Sequence, residues 1–289
     1  MSTTKGYLLI AGSVISFSIM SALVKSIPEI NSTITTFVRF TVGFGILGLL
    51  ALTKKIKLTF NNSFLLLLRG LTGGFAVFLL YYSIVNIGVG KATVFVYSYP
   101  IFATLLSVII FKEKVKPIQW FFILIAFIGI ILLSIKNGLD ISQISSNELL
   151  AITGGVLSAI SVILVKKLHH TDSSTSIFFS QSLIGFWLFM FPANTVSFEG
   201  NVNIAIILIA IGIVSAIGQL IMTEGYKYVE VSKGSTMYML IPVFNIITGY
   251  YLFNEVLTFK EWIGALLVII GCIGVVSTKA LKFKFFGPR

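Results

Sequence analysis

Ten apolar runs of membrane-crossing length divide the chain. They lie near residues 7–25, 33–53, 64–85, 92–111, 118–135, 149–168, 176–192, 203–226, 234–253 and 260–278, the seventh being short. A bilayer core about 30 Å thick takes roughly 20 helical residues to cross. Lipid offers no partner to an exposed backbone N–H, which leaves only helices or a closed barrel. Barrel strands would alternate polar and apolar residues in segments of roughly ten, and no such alternation occurs. The fold expected is therefore an all-α polytopic membrane protein with ten transmembrane helices. Composition points the same way. Of 289 residues, 56% are hydrophobic and 11% charged, and mean hydropathy is +1.01. A soluble domain carries roughly a quarter charged residues, so lipid is this chain's main solvent.

The formal charge of +11 raises nucleic acid as a partner. That reading needs basic residues clustered on a polar scaffold, whereas here they sit in the links between apolar runs, and no nucleic-acid partner is expected. Fifteen of the 21 basic residues fall on the side of the N-terminus and four on the other, with Arg39 and Arg69 within or at the ends of runs. Such an excess marks the cytoplasmic side. Both termini are thus expected in the cytoplasm, in a multi-pass cell membrane (inner or plasma) protein. The single cysteine, Cys272, excludes an internal disulfide and reads as a buried hydrophobe.

The chain also repeats itself at a fixed offset of 142 residues. "YSYPIFATLLSVIIFKEK" from Tyr97 is echoed by "MLIPVFNIITGYYLFNEV" from Met239, pairing Pro100 with Pro242 and Glu113 with Glu255. Gly12 pairs with Gly154, Gly43 with Gly185, Gly70 with Gly212, Trp120 with Trp262 and Gly129 with Gly271. Two five-helix units follow, 1–137 and 147–279. Five is odd, so the second unit enters the membrane from the opposite face. Inverted repeats are an architecture of secondary transporters, because equivalent halves can close a shared site from either side in turn. The first apolar run matches the sixth position for position, so it is expected to be a retained helix rather than a cleaved signal.

Residues 69–133 resemble the repeat of the EamA branch of the drug/metabolite transporter superfamily. The likeness rests on Arg69–Gly70, Pro100, Glu113, Trp120 and Gly129, and in the second copy on Pro242, Glu255, Trp262 and Gly271, with Ile211 in place of Arg69. It extends over essentially the whole chain. The resemblance implies a ten-helix bundle around a central cavity, spans 5 and 10 being more peripheral. It also implies a cargo among amino acids and their derivatives, amines, nucleosides and other small metabolites.

Candidate cavity residues follow from their cost in lipid. Glu224, late in span 8, should face a cavity or a partner, since a carboxylate facing hydrocarbon costs several kcal/mol. There it could bind a cation or carry a proton. The alternative is an interfacial residue paired with Lys227. Arg39, early in span 2, could hold a substrate carboxylate or snorkel to the headgroups. It is taken as the single deep cation, which counts against an exchanger of sugar phosphates. Tyr82, Tyr99, Tyr238, Gln219 and Asn245 supply interior hydroxyls and amides. Pro100 and Pro242 each free a backbone carbonyl one turn earlier, which nominates spans 4 and 9 as gating helices. Glu113 and Glu255 close their spans, where a carboxylate reaches water or caps a helix.

Other signals fail. "GVGKAT" has Val85 where a phosphate loop needs glycine. His169 and His170 lie in a link without carboxylate or cysteine neighbours at metal spacing. No catalytic machinery, metal site or cofactor is expected. The function expected is secondary active transport of a small organic metabolite, amino acids or derivatives first, by alternating access. Protons are the candidate coupling ion, and the assembly is a monomer or homodimer. The rivals are a transporter of amines, quaternary ammonium compounds or nucleosides, a passive channel, and a non-transporting receptor.

Overall fold

A computed structural model of the chain describes residues 2–134, 146–196, 201–254 and 258–278. Among these, eleven helices and no strands occur: α1 Ser2–Lys25, α2 Ser32–Leu52, α3 Ser63–Val96, α4 Tyr99–Phe111, α5 Pro117–Ser134, α6 Ser146–Leu168, α7 Ser174–Asn194, α8 Val202–Tyr226, α9 Val231–Met237, α10 Leu240–Phe253 and α11 Phe259–Ser277. Helix starts are set by local chemistry. Asn31, Ser173 and Asn201 each accept a backbone N–H of the first turn, and Thr258 with Glu261 forms a reciprocal capping box. Pro117 stands first in α5, where its missing N–H costs nothing.

The paired prolines Pro100 and Pro242 each follow a helix break within one turn upstream, whereas Pro192 is accommodated in the last turn of α7. Pro100 follows the break at Tyr97–Ser98 and Pro242 the break at Tyr238–Met239, as the loss of an i→i−4 bond requires. Spans 9 and 4 are thereby built from two pieces each. One boundary differs from expectation. Spans 3 and 4 do not separate near residue 86, because α3 runs on for 34 residues. Its counterpart in the second half turns at Lys227–Glu230 before α9 begins. The first half has Val-Asn-Ile-Gly there instead of charged residues, and Asn86 donates its side-chain N–H to the Tyr82 carbonyl within the helix.

The 142-residue repeat is a packing code. Phe37 stacks on Phe186 with ring centroids 5.5 Å apart, and Phe44 meets Phe179 at 5.5 Å. Adding 142 to one partner and subtracting it from the other converts the first contact into the second. The two contacts also show α2 antiparallel to α7, its own counterpart. A Cβ on Gly129 would lie 2.7 Å from the Gly264 carbonyl oxygen, and a Cβ on Gly271 2.6 Å from that of Phe122. These positions are again counterparts, and they hold α5 antiparallel to α11. α1 pairs with α8 as α6 pairs with α3, and α2 with α8 as α7 with α3. The halves are thus related by a pseudo-two-fold that inverts one against the other.

The surface is the inverse of a soluble protein's. Leu8, Ile109, Trp187, Phe191, Tyr251 and Trp262 are among many large apolar side chains facing outward, each more than 60% exposed. Among the described residues, eight spans are long and apolar enough to cross a membrane, and two shorter apolar helices bring the elements to ten. This is a multi-pass membrane protein.

Candidate functional site

A cavity lies between the two halves, in the position where inverted-repeat carriers hold their substrate. α1, α2 and α3 contribute one wall, α6, α7 and α8 the other, and the broken ends of spans 4 and 9 complete it. α5 and α11 contribute no lining residue. Phe17, Met20, Leu80, Met222 and Ile241 make the wall largely apolar.

Two arginines interrupt that surface. Arg39 is 7% exposed and Arg69 2%. The Arg39 guanidinium donates to the Tyr81 hydroxyl at 3.2 Å, to the Met20 sulfur at 3.4 Å and to Gln219 Oε1 at 3.3 Å. It also lies 5.6 Å from the centre of the Phe17 ring. Arg69 donates to Gln181 Oε1 at 2.8 Å and to the Ser161 hydroxyl. Its Nε–H is buried without a partner. Each arginine belongs to the first half and each glutamine to the second, so both cation–amide pairs bridge the halves.

Guanidinium stays protonated in proteins, so these are fixed charges. Taking one into the interior costs several kcal/mol, while a hydrogen bond involving a charged group returns about 1.5–3 kcal/mol. Among the described residues, none that lines the cavity is acidic. The cavity is consequently an electropositive site whose charges are held by neutral amides and hydroxyls. Arg39 is the eighth residue of α2 and Arg69 the seventh of α3. At 1.5 Å per residue each stands about 10 Å from its helix start. α3 packs parallel to α7, Gly70 lying against Ile184 and Gly74 against Leu188. Since α2 is antiparallel to α7, the two arginines approach the cavity from opposite membrane faces.

Aromatic hydroxyls close one side. Tyr238 shares a 2.7 Å hydrogen bond with Ser13, packs 6.4 Å from Tyr99 and stacks at 6.4 Å on Tyr226. Tyr97 and Tyr99 line the cavity directly before and after the break that precedes Pro100.

Of the residues expected from sequence, Arg39, Gln219, Tyr99 and Tyr238 come together here. Tyr82, Asn245 and Glu224 do not line the cavity. Tyr82 donates to Asn147 Oδ1 at 3.3 Å. Asn245 has a buried Oδ1 without a partner. Glu224 sits at the helix end, accepting from the Ser174 hydroxyl at 2.5 Å and the Tyr228 hydroxyl at 2.9 Å. Pro100 and Pro242 are buried at the breaks. The expectation of a single deep cation needs correction, because Arg69 is buried and points into the cavity. Its helix continues beyond the point where a surface arginine could snorkel, and α6 and α7 enclose it through Ser161 and Gln181. Its repeat counterpart Ile211 did not settle the matter, since an apolar residue in a span fits an enclosed or a lipid-facing position alike.

At the face of the N-terminus, Glu113 ties the halves together and further polar contacts brace the second half. Glu113 accepts the Val231 N–H at 2.8 Å, the Ser232 N–H at 3.2 Å and the Ser232 hydroxyl at 2.8 Å. It therefore caps α9 of the other half. Glu255 lies outside the described residues. The Lys166 ammonium donates to the Tyr226 and Val229 carbonyls at 2.8 and 2.9 Å. His169 Nε2 sits 2.7 Å from the Thr223 carbonyl, and burial holds its pKa below the ordinary imidazole value despite that bond.

Comparison with known proteins places this geometry. A model of the EamA-like transporter family matches residues 4–135 and again 145–277. A pseudopaline exporter of Pseudomonas aeruginosa is 24% identical over 286 residues, covering 95% of this chain and 96% of its own. Solute carrier family 35 member G1 of Mus musculus is 25% identical, covering 92% of this chain and 76% of its own. An uncharacterized transporter of Helicobacter pylori is 25% identical, with 92% of each chain covered. One crystal structure superposes with a TM-score of 0.78 at 15% identity, covering 98% of this chain and 99% of the other, a likeness of fold.

Proposed function

We propose, from the premise that this chain belongs to the EamA-like transporter family, that it moves a small carboxylate-bearing metabolite by alternating access. It is a membrane transporter of a small molecule. Amino acids and their derivatives remain the first candidates among cargoes. The observation that carries this reading is the pair of buried guanidiniums in one cavity between inverted halves, with no acidic lining residue. A carboxylate would supply the missing counter-charge through charge-assisted hydrogen bonds, while the apolar wall takes the rest of the molecule.

Alternating access is supported by where the polar links lie. Arg39–Gln219 and Arg69–Gln181 join the halves at the cavity, and Glu113 with the α9 N-terminus joins them at one end. Rocking the halves about the cavity would break the end contacts first and leave the substrate held. The described lining holds no carboxylate or imidazole, so the cycle is read as exchange or gradient-driven flux without a proton carrier in the cavity. Glu224 is accordingly left out of the mechanism. The excess of basic residues on the side of the N-terminus supports a plasma-membrane protein with both termini in the cytoplasm.

The test is counterflow in proteoliposomes loaded with an amino acid mixture. Labelled substrate should accumulate transiently and saturably, and Arg39→Gln should remove that accumulation while the protein remains folded. Non-saturating flux without counterflow would show a channel, and undiminished counterflow in the variant would remove Arg39 from the site.

A further inference from the structure

We propose that the cavity is built for a substrate with two acidic groups, one held at Arg39 and the other at Arg69. This rests on the reading of the cavity as the carrier's carboxylate site and narrows its substrate class. One carboxylate can neutralise one guanidinium. The cavity holds two and lends neither an acidic side chain, so a single-charge ligand would leave a buried cation uncompensated, at a cost of several kcal/mol.

The hydrogen-bond inventory points the same way. Gln181 and Gln219 spend their side-chain oxygens on the two guanidiniums, which leaves their amide nitrogens as donors. Gln219 Nε2 meets only the Met222 sulfur at 3.8 Å, too long to satisfy a good donor. Arg69 Nε–H, on a side chain 2% exposed, has no partner. The site is rich in donors and poor in acceptors, which suits a ligand that brings several acceptor oxygens. Among amino acids and their derivatives this favours the acidic ones and those with a blocked amine, since the described lining offers an ammonium no acidic partner.

Geometry sets the spacing. Two Cα atoms each about 10 Å inside opposite faces of a core about 30 Å thick stand about 10 Å apart along the membrane normal. The arginine side chains close part of that gap. The acids of the substrate are therefore separated by several bonds, with an apolar or ring-bearing middle lying against Phe17, Met222 and Tyr99.

The experiment is a thermal-shift and binding series on the purified full chain, using unbranched dicarboxylates from succinate to suberate. Each is paired with the monocarboxylate of equal length, and leucine serves as the zwitterion. At least one dicarboxylate should bind tenfold or more tightly than its monocarboxylate. Arg39→Gln and Arg69→Gln should each erase that preference. Gln181→Glu places an internal acid beside Arg69 and should do the same, which separates charge loss from misfolding. If each dicarboxylate binds no better than its partner, or if Gln181→Glu keeps the preference, the two-acid site is overturned while the carboxylate reading stands. If no carboxylate shifts the protein but a cationic amine does, both readings fall. Inorganic chloride and phosphate are run alongside, and stabilisation by these that matches the dicarboxylates would also overturn the proposal by showing an unselective anion site.

Discussion

The two halves agree where they pack and disagree where they enclose space. At the packing surfaces, Gly129 meets Gly264 as Gly271 meets Phe122, and Phe37–Phe186 is reproduced as Phe44–Phe179. Around the cavity the correspondence fails. Arg39 faces Gln181 as its counterpart and Arg69 faces Ile211, while Gln219 matches Val77. The first half supplies both charges and the second both amides that hold them. A duplicated chain must keep close helix contacts in both copies, or half the bundle comes apart. It has no such obligation in the cavity, where a substrate without two-fold symmetry needs different groups on its two sides.

Experiments can attack either side of this comparison. The largest expected effect belongs to the cavity. Arg69→Ile, which copies the second half's residue into the first, should reduce counterflow by more than tenfold. It removes one of two substrate charges and leaves Gln181 and Ser161 without their partner. Next come the packing glycines. Gly129→Ala and Gly271→Ala each force a Cβ against a backbone carbonyl, which has no rotamer to yield. Overpacking of this kind costs about 1–3 kcal/mol, and both should lower the melting temperature by similar amounts. A large difference between them would break the symmetry argument.

How much of this could be read from the residues alone depends on what each position must do. The glycine pairs were legible because close backbone approach admits no other side chain, so duplication preserves them. The prolines were legible because a missing N–H acts locally, and both breaks fall one turn upstream. Arg69 was not. A cation seven residues into a helix has either fate, and enclosure by Ser161 and Gln181 is decided by helices more than ninety residues away. Between its two readings, cavity and interface, Glu224 stayed open for the complementary reason. Its span could be counted from hydropathy, but its distance from the helix end and its hydroxyl partners, Ser174 and Tyr228, could not.

Smaller effects sharpen the picture at the face of the N-terminus. Glu113→Gln weakens the cap of α9, which should cost about 1 kcal/mol, read as a modest fall in melting temperature. Because that cap joins the halves, the variant should also alter the balance of cavity access. Glu224→Gln should leave both the rate and the pH profile of counterflow unchanged, whereas a cavity substitution lowers the rate. A lost pH dependence would return Glu224 to the mechanism. The smallest expected effect concerns His169. Its folded-state pKa lies below its unfolded value, so the unfolded chain binds more protons as pH falls through the unfolded value near 6.5. Stability should therefore be complete above that pH and decline below it. His169→Gln should flatten that acid slope in a melting series.

The claim beneath all of this is that one cavity between inverted halves opens to each face in turn. Ser158 lines that cavity, and the native thiol of Cys272 is buried. With Cys272 replaced by serine, Ser158→Cys can be probed in oriented vesicles with a membrane-impermeant thiol reagent. The expected result is modification from either side, with each rate slowed by bound substrate and the two rates moving in opposite directions when Glu113 is changed. Labelling from one side alone under every condition would contradict the account.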